Sequence, residues 1–151
     1  MKVTRQQIQN FLEKKTIAMA GVSRNPNKFG YQVFKELRAK GYEIIPINPN
    51  ADSIDEVQCY ADVGDIPGEV ESLLIMTPKD KTDKILRDAI KRGIKHIWVQ
   101  QMSETEETLK VAEEFQQEII HRKCIFMFAE PVAGAHKFHR VLLKVFHALP
   151  A

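Results

Sequence analysis

The sequence has few cysteines, no long apolar run and no dense cluster of one charge. Its two cysteines, Cys59 and Cys124, lie far apart and form no CxxC motif. We therefore expect free thiols in a reducing, cytoplasmic environment rather than a disulfide framework. No apolar run approaches the roughly 20 residues needed to cross a bilayer. Residues 1–10 are polar and lack the apolar core of a signal peptide, so we expect neither secretion nor a membrane partner.

Charge and metal-binding patterns are weak as well. The net charge is only +2, and basic residues are not concentrated in any run, so nothing demands a nucleic acid partner. His136, His139 and His147 are spaced at one or two helical turns, but no cysteine or carboxylate completes a ligand set. We expect no metal site.

Apolar runs and helical periodicity alternate along the chain. The runs predict strands at residues 16–20, 43–47, 72–76 and 96–99, with shorter strands near 57–60 and 118–121. Periodic apolar positions predict helices after Thr4, over residues 29–40, after a cap at Asp80 or Thr82, and after a Ser103–Glu106 capping box. A final amphipathic helix is predicted over residues 135–149.

This alternation predicts an α/β fold in one domain. The strands are almost entirely apolar, as expected when helices cover both faces of a mostly parallel sheet. We predict a single Rossmann-like, doubly wound domain over residues 1–151, with its core at about 16–124. The expected strand order is 3-2-1-4-5.

The ligand of such a sheet lies beyond the carboxyl ends of the strands. The turns at that edge are residues 21–30, 48–50, 76–79 and 100–102. They supply hydrogen-bonding and cationic groups and no carboxylate before Asp80: Ser23, Arg24, Lys28, Asn48, Thr77, Lys79 and Gln100. The first turn also leads into a helix start, where unpaired N–H groups favour an anion. A phosphate-bearing nucleotide is the predicted ligand.

Two features argue against NAD. The first turn has no GxGxxG motif. Asn48-Pro49 follows the second strand, where an NAD site has an acid for the ribose hydroxyls. An acid at that place would repel a phosphate on the ribose, and an asparagine would not. The site is therefore compatible with a nucleotide that carries an extra ribose phosphate.

Five motifs in order resemble the stand-alone CoA-binding domain family. They are Ala20-Gly21-Val22-Ser23 with Asn25-Pro26 and Lys28-Phe29-Gly30, then Ile45-Pro46-Ile47-Asn48-Pro49, Asp65-Ile66-Pro67, Ile97-Trp98-Val99-Gln100 and Arg122-Lys123-Cys124. The family is similar to the N-terminal CoA-binding domain of the succinyl-CoA synthetase alpha subunit. The resemblance implies a Rossmann-like fold that binds coenzyme A or an acyl-CoA. It gives no support for ligase activity, which in the synthetase uses a histidine of a second domain.

The resemblance also implies which residues contact the coenzyme. The phosphates are expected on the first turn and helix start, and the adenosine is expected near the turn after strand two. The nucleotide or the pantetheine arm is expected beside the turn after strand four. One further residue, after strand five, lies on the same edge of the sheet. In that order the residues are Gly21, Val22, Ser23, Arg24, Lys28, Phe29 and Gly30; Asn48 and Pro49; Thr77, Pro78 and Lys79; and Gln100.

Each residue singled out also has a plain structural interpretation. Lys28 opposes the helix dipole, so we favour a bound anion over a solvated lysine. Ser23 can contact phosphate or cap the helix, and it lacks the GxSxG context of a nucleophile. Cys124 follows two cations and could exchange with the CoA thiol, but we favour a small buried residue. Trp98 lies within a strand and is expected in the core.

We therefore expect a CoA-binding protein without catalytic residues. Two alternatives stay open: an enzyme, either an NAD(P)-dependent oxidoreductase or a CoA-dependent acyl transferase, and an interaction module that responds to CoA. The region after residue 125 is longer than the usual ending of the family, so its predicted helix is a candidate cover for the ligand crevice or a candidate homodimer surface.

Overall fold

The computed structural model describes residues 1–129. Helices and strands alternate within that part of the chain: α1 Arg5–Leu12, β1 Thr16–Ala20, α2 Phe29–Ala39, β2 Glu43–Ile47, β3 Ser53–Ile54, β4 Val57–Gln58, β5 Ser72–Ile75, α3 Lys79–Lys91, β6 His96–Gln100, α4 Glu106–Glu114 and β7 Ile119–Lys123. Short 3-10 turns lie at Val63–Asp65 and Ile125–Met127. The helix predicted at residues 135–149 lies outside the described residues.

Five parallel strands form the central sheet in the order β2-β1-β5-β6-β7. Ile17 pairs with Ile44 on one side of β1, and Met19 pairs with Leu74 on the other. The chain runs outward from β1 to β2 and then returns to the opposite side of β1. The strand order therefore reverses between β1 and β5, and the predicted α/β doubly wound fold is confirmed.

The third predicted strand, near residues 57–60, is wrong as a strand of the main sheet. Val57–Gln58 pairs antiparallel with Ser53–Ile54 in a separate hairpin, whose two turn residues adopt the left-handed backbone conformation. Tyr60 alone bridges to the edge of β2. Its N–H donates to the Pro46 carbonyl at 3.0 Å, so Pro46, which has no N–H to donate, lies where the pairing is reduced to one bridge.

Alternate residues of each strand face two separate apolar layers. In β1, Ile17 and Met19 pack on the side of α1 and α2, whereas Ala18 and Ala20 face α3 and α4. Trp98 is fully buried, as predicted, and its ring meets Phe11 of α1 edge-on at 5.3 Å between centroids. Fully burying side chains of this size stabilises the fold by about 1.5–3 kcal/mol each, so the sheet is held from both faces.

Two predicted helix starts are correct in place but wrong in their caps. Thr105, not Ser103, caps α4 in a capping box with Thr108. The start of α3 has Pro78 at the N-cap and no side-chain cap, although Asp80 or Thr82 was expected there. Thr82 is instead buried within the first turn. By contrast, Thr4 caps α1 as predicted, with Gln7 completing the box.

Within residues 1–129, no helix has both the length and the apolar character that a bilayer crossing requires.

Candidate functional site

A cavity of about 550 Å³ opens at the carboxyl edge of the sheet, where the strand order reverses. Its walls come from the turns after β1, β2 and β5, from the segment after Tyr60, and from the first turns of α3. The lining residues are Ala20, Gly21, Val22, Ser23, Ile47, Asn48, Pro49, Asn50, Ala61, Asp62, Val63, Thr77, Pro78, Asp80, Lys81, Lys84 and Ile85.

Two glycines bring three backbone segments into direct contact beside this cavity. A Cβ on Gly21 would lie 2.5 Å from the Met76 carbonyl oxygen, and Gly21 has a φ of +93°. A Cβ on Gly30 would lie 2.3 Å from the Gly21 carbonyl oxygen. Both distances are too short for a side chain. The start of α2, the β1 turn and the β5 turn therefore stack closely only because both residues are glycine.

The turn after β1 is shaped by its own polar side chains. Ser23 Oγ accepts from the Asn25 N–H at 3.0 Å, and Asn25 Oδ1 accepts from the Asn27 N–H at 3.0 Å. Each side chain reproduces a backbone turn. Ser23 lines the cavity, and its hydroxyl group can still donate one hydrogen bond.

The start of α2 has no side-chain cap. Lys28 occupies the N-cap position, makes no capping hydrogen bond and is followed by no acidic residue in the first turn. Lys28 and Phe29 are exposed. They do not line the cavity but lie next to it, because Gly30 packs on Gly21. This helix start lies beside the β1 turn and combines unpaired N–H groups with an exposed lysine.

The turn after β2 is joined to the turn after β1 through Asn48. Its Nδ2 donates to the Val22 carbonyl at 2.8 Å, and its Oδ1 accepts from the Asn50 N–H at 2.8 Å. The backbone N–H of Asn48 donates to the Tyr60 carbonyl at 2.9 Å. Three segments around the cavity meet at this one residue.

The turn after β5 leads directly into α3. Thr77 is buried, and its hydroxyl lies 3.0 Å from that of Thr82. Pro78 is the uncapped N-cap, so the start of α3 also faces the cavity without a side-chain partner. Lys79, the first residue of α3, is exposed and does not line the cavity.

The family of the chain follows from residues 15–130, which match the model of the CoA binding domain. The chain belongs to this CoA-binding domain family. The resemblance of the sequence motifs is thereby confirmed, and family membership supports a small-molecule ligand of the coenzyme A type.

The relatives of this CoA-binding domain include longer ligases and a protein of similar length. The chain is 29% identical over 126 residues to acetate–CoA ligase [ADP-forming] II subunit alpha of Pyrococcus furiosus, covering 76% of this chain and 28% of that protein. It is 26% identical to protein YneT of Bacillus subtilis, which has no assigned function, covering 79% of this chain and 89% of that protein. The chain thus spans under a third of the length of the ligases that it matches.

A solved structure shares the fold of this CoA-binding domain. A hypothetical protein from Pyrococcus horikoshii OT3 superposes with a TM-score of 0.75 at 29% sequence identity. The match covers 89% of this chain and 100% of that one.

Gln100 lies apart from the cavity of this CoA-binding domain. Its side chain is buried, and Oε1 accepts from the Ile125 N–H at 3.1 Å. It joins the end of β6 to the 3-10 turn Ile125–Met127. Arg24 is also outside the cavity; its charge acts on Cys59, where it partly offsets the rise in the thiol pKa that burial causes.

The four turns predicted at the rim contain no carboxylate before Asp80, but a further segment contributes one. Asp62 lines the cavity, since the Tyr60 bridge brings residues 61–63 to the same edge. Lys84 contacts Asp62 at 3.3 Å and Asp88 at 2.5 Å, and these hydrogen bonds raise the pKa of its ammonium group. The prediction also missed three α3 residues that line the cavity, Lys81, Lys84 and Ile85. They are three and four positions apart and so share one face of the helix, and this spacing could have indicated them.

Neither cysteine of this CoA-binding domain lines the cavity. Cys59 is buried, Cys124 is half-buried, and both are free thiols. Cys124 precedes the 3-10 turn Ile125–Met127. Whether Cys124 exchanges with a coenzyme thiol stays a prediction. Within residues 1–129, no three metal-ligating side chains are grouped closely enough to hold an ion.

Proposed function

We propose that this protein binds coenzyme A or an acyl-CoA in the cavity between the turns after β1, β2 and β5, and catalyses no reaction of its own. The observation that carries the proposal is the cavity at the reversal point of a CoA-binding domain. Its backbone is packed too closely at Gly21 and Gly30 for side chains.

The donors around the cavity fit a phosphate-bearing ligand. Ser23 lines the cavity, and the uncapped start of α2 with the exposed Lys28 adjoins it through the contact of Gly30 with Gly21. In the proposed arrangement they hold the pyrophosphate, where a helix start and a cation both favour negative charge. The adenosine lies toward Pro49, and the pantetheine arm runs past Thr77 and Pro78.

The residues that line the cavity favour binding over catalysis. Among residues 1–129, neither the Ser23 nor the Thr77 hydroxyl is hydrogen-bonded to a histidine, a carboxylate or a lysine. Thr77 Oγ1 is engaged with Thr82. A nucleophile needs an adjacent base within hydrogen-bond reach, so these hydroxyls are proposed to position the ligand.

Calorimetric titration of the purified protein with CoA, acetyl-CoA, NAD and NADP tests the proposal. We expect CoA or acetyl-CoA to bind. At a concentration 100 times the dissociation constant, the ligand should raise the melting temperature by roughly 5–10 °C, because it stabilises only the folded state. Tight NADP binding with no CoA binding would favour the oxidoreductase alternative. No heat and no thermal shift with any ligand would refute the proposal.

Two lysines of the same region test the role of the cation at the start of α2, with Lys35 as the control for Lys28. Lys28→Ala removes the cation at the start of α2, and Lys35→Ala removes an exposed lysine from the middle of the same helix. We expect Lys28→Ala to weaken CoA binding by about tenfold or more, the value of one charge-assisted contact. Lys35→Ala should bind as the wild type does. Equal effects of the two changes would show that only the overall charge matters.

The interaction-module alternative is tested by assembly. A complex, with itself or with another protein, that forms only in the presence of CoA would add this role to binding. Size-exclusion chromatography with and without CoA makes the comparison. The same measurement tests the proposed homodimer.

A further inference from the structure

We infer that Asn48 is a positioning residue. Its carboxamide holds the turn after β1 against the turn after β2 and so sets the relative position of two segments that line the cavity. Asn48 itself lies at the cavity wall, but its carboxamide bonds to Val22 and Asn50, and ligand binding depends on those two bonds. This inference rests on the proposed function, since it assigns a role within the same cavity. It differs from the sequence-based expectation, in which the asparagine stands near the adenosine as a ligand contact.

The two bonds of the carboxamide determine its orientation. Val22 offers a carbonyl oxygen, which only accepts, and Asn50 offers an N–H, which only donates. A single orientation of the amide satisfies both, with Nδ2 toward Val22 and Oδ1 toward Asn50. Rotating the amide by 180° would place Oδ1 against the Val22 carbonyl oxygen, acceptor against acceptor, and Nδ2 against the Asn50 N–H, donor against donor.

This geometry explains why an acid does not fit at the end of β2. An aspartate has the same shape but no N–H, and its carboxylate would face the Val22 carbonyl at about the 2.8 Å of the present hydrogen bond. The turn after β1 would have to move away. The requirement for asparagine then comes from the protein backbone, whatever phosphate the ligand carries.

Both joined segments line the cavity. Val22 and Ser23 belong to the turn after β1, and Pro49 and Asn50 belong to the turn after β2. Val22 is buried and has little freedom of its own. A shift of its carbonyl therefore moves Ser23, and with it the turn that precedes α2. Asn48 acts on the ligand through these neighbours.

Three variants and two ligands separate positioning from direct electrostatics. Asn48→Ala removes both bonds, and Asn48→Asp replaces the donor with a charge. Asn50→Asp places the same charge in the same cavity but keeps both bonds, because Asn50 contributes only its backbone N–H. CoA and dephospho-CoA differ in the ribose phosphate alone. Calorimetry at pH 7.5 gives the dissociation constants.

We expect Asn48→Ala to weaken both ligands by the same factor, about tenfold or more. Asn48→Asp should also weaken both ligands by about tenfold or more, with a further loss for CoA because the new charge repels its ribose phosphate. Asn50→Asp should weaken CoA more than dephospho-CoA, because its effect is charge repulsion. If Asn48→Ala binds both ligands as the wild type does, or if Asn48→Asp weakens CoA alone, the positioning role is wrong. If Asn48→Ala does not fold, Asn48→Ser takes its place, since a single short hydroxyl cannot span Val22 and Asn50.

A pH profile adds a readout that loss of packing would not move. Once protonated, the carboxyl group introduced by Asn48→Asp can donate to the Val22 carbonyl. The ratio of its dissociation constant to that of the wild type should therefore shrink between pH 7 and about pH 4.5, toward the ordinary pKa of aspartate near 3.9. The same ratio for Asn48→Ala should stay constant. A constant ratio for both variants would contradict the inference.

Amide exchange in the ligand-free protein distinguishes failure of this inference from failure of the proposed function. If the wild type binds neither ligand, the proposed function is wrong. The Asn50 N–H then decides the positioning role alone, because it bonds to Asn48 Oδ1. Its exchange should accelerate by about two- to tenfold in Asn48→Ala, the loss of one net hydrogen bond. An unchanged exchange rate would overturn the role.

Discussion

At the scale of single residues, Gly30 acts through the side chain that it lacks. Its Cα faces the Gly21 carbonyl so closely that a Cβ would lie 2.3 Å from the oxygen. The contact is with backbone, which cannot rotate aside as a flexible side chain can. Gly30 therefore sets how closely α2 approaches the turn after β1, and its neighbours Lys28 and Phe29 depend on it for their place.

We predict that Gly30→Ala destabilises the protein by about 1–3 kcal/mol, the usual cost of forcing a methyl group into packed structure. It should also weaken CoA binding, because the start of α2 is displaced. Urea denaturation and calorimetry measure the two effects. Gly64→Ala is the matched control, since a Cβ there meets nothing within 4 Å. If Gly30→Ala is as stable as Gly64→Ala, the close packing is not needed.

Single residues also show which features of the site the sequence could and could not predict. Gly21, Ser23 and Asn48 were predicted at the ligand edge because they follow apolar strands, and each lines the cavity. Their expected contacts with the coenzyme stay predictions. The bond from Asn48 to Val22 could not be predicted, because the two residues are 26 positions apart and meet only through strand register.

At the scale of elements, the arginine that follows the last residue of α3, Arg92, organises the segment before β5. The Arg92 guanidinium donates to the carbonyls of Val63 and Gly64 at 2.9 Å, to that of Gly68 at 3.0 Å and to that of Ile66. This segment has little regular structure of its own, and its start lines the cavity through Asp62 and Val63. Four carbonyls are satisfied by a single rigid fork of N–H groups.

We predict that Arg92→Ala lowers the free energy of unfolding by about 2 kcal/mol, because hydrogen bonds to a charged donor are worth about 1.5–3 kcal/mol and water replaces part of the loss. Arg92→Lys should recover little, since an ammonium group cannot reach four carbonyls. Lys91→Ala, at the exposed neighbouring position, is the control. Full recovery by lysine in urea denaturation would show that charge alone matters.

Helices and strands differ in how well the sequence predicted them. The strands β1 and β2 were predicted at their observed bounds, because nearly every residue in each run is apolar. The caps of α3 and α4 were wrong, because several Ser, Thr and Asp residues stand near each start. Tertiary contacts determine which of these residues is the cap. For α4, Asp83 accepts from the Thr105 hydroxyl at 3.1 Å and so joins α3 to the cap of α4.

At the scale of the whole molecule, burial of histidine couples stability to pH. His121 of β7 is buried, its Nε2 lies 3.2 Å from the Met1 carbonyl, and burial lowers its pKa. Burial also lowers the pKa of His96 at the start of β6. Both groups therefore bind a proton more weakly in the folded protein than in the unfolded chain, whose histidines titrate near pH 6.5.

We predict that stability is greatest above about pH 7 and falls as the pH drops through and below 6.5. In that window the unfolded chain binds more protons than the folded protein, so acidification favours unfolding. Urea midpoints at pH 7.5, 6.5 and 5.5 measure the effect. His121→Gln should flatten this dependence by removing one of the two groups. A wild-type midpoint that is constant over the range would contradict the prediction.

The sequence by itself determined the alternation of strands and helices and the two apolar faces of the sheet. These properties depend on local periodicity, which each segment carries without reference to the others. It also contained the motifs that identify the CoA-binding domain family.

Only the tertiary structure decided how the turns at the carboxyl edge meet. It reduced the expected third strand to the bridge at Tyr60, brought Asp62 and Lys84 to the cavity, and placed the Asn48 carboxamide between Val22 and Asn50. The physical reason is that these contacts join segments far apart in the chain. Their geometry depends on strand register and on the close backbone packing at Gly21 and Gly30, and no local pattern specifies either.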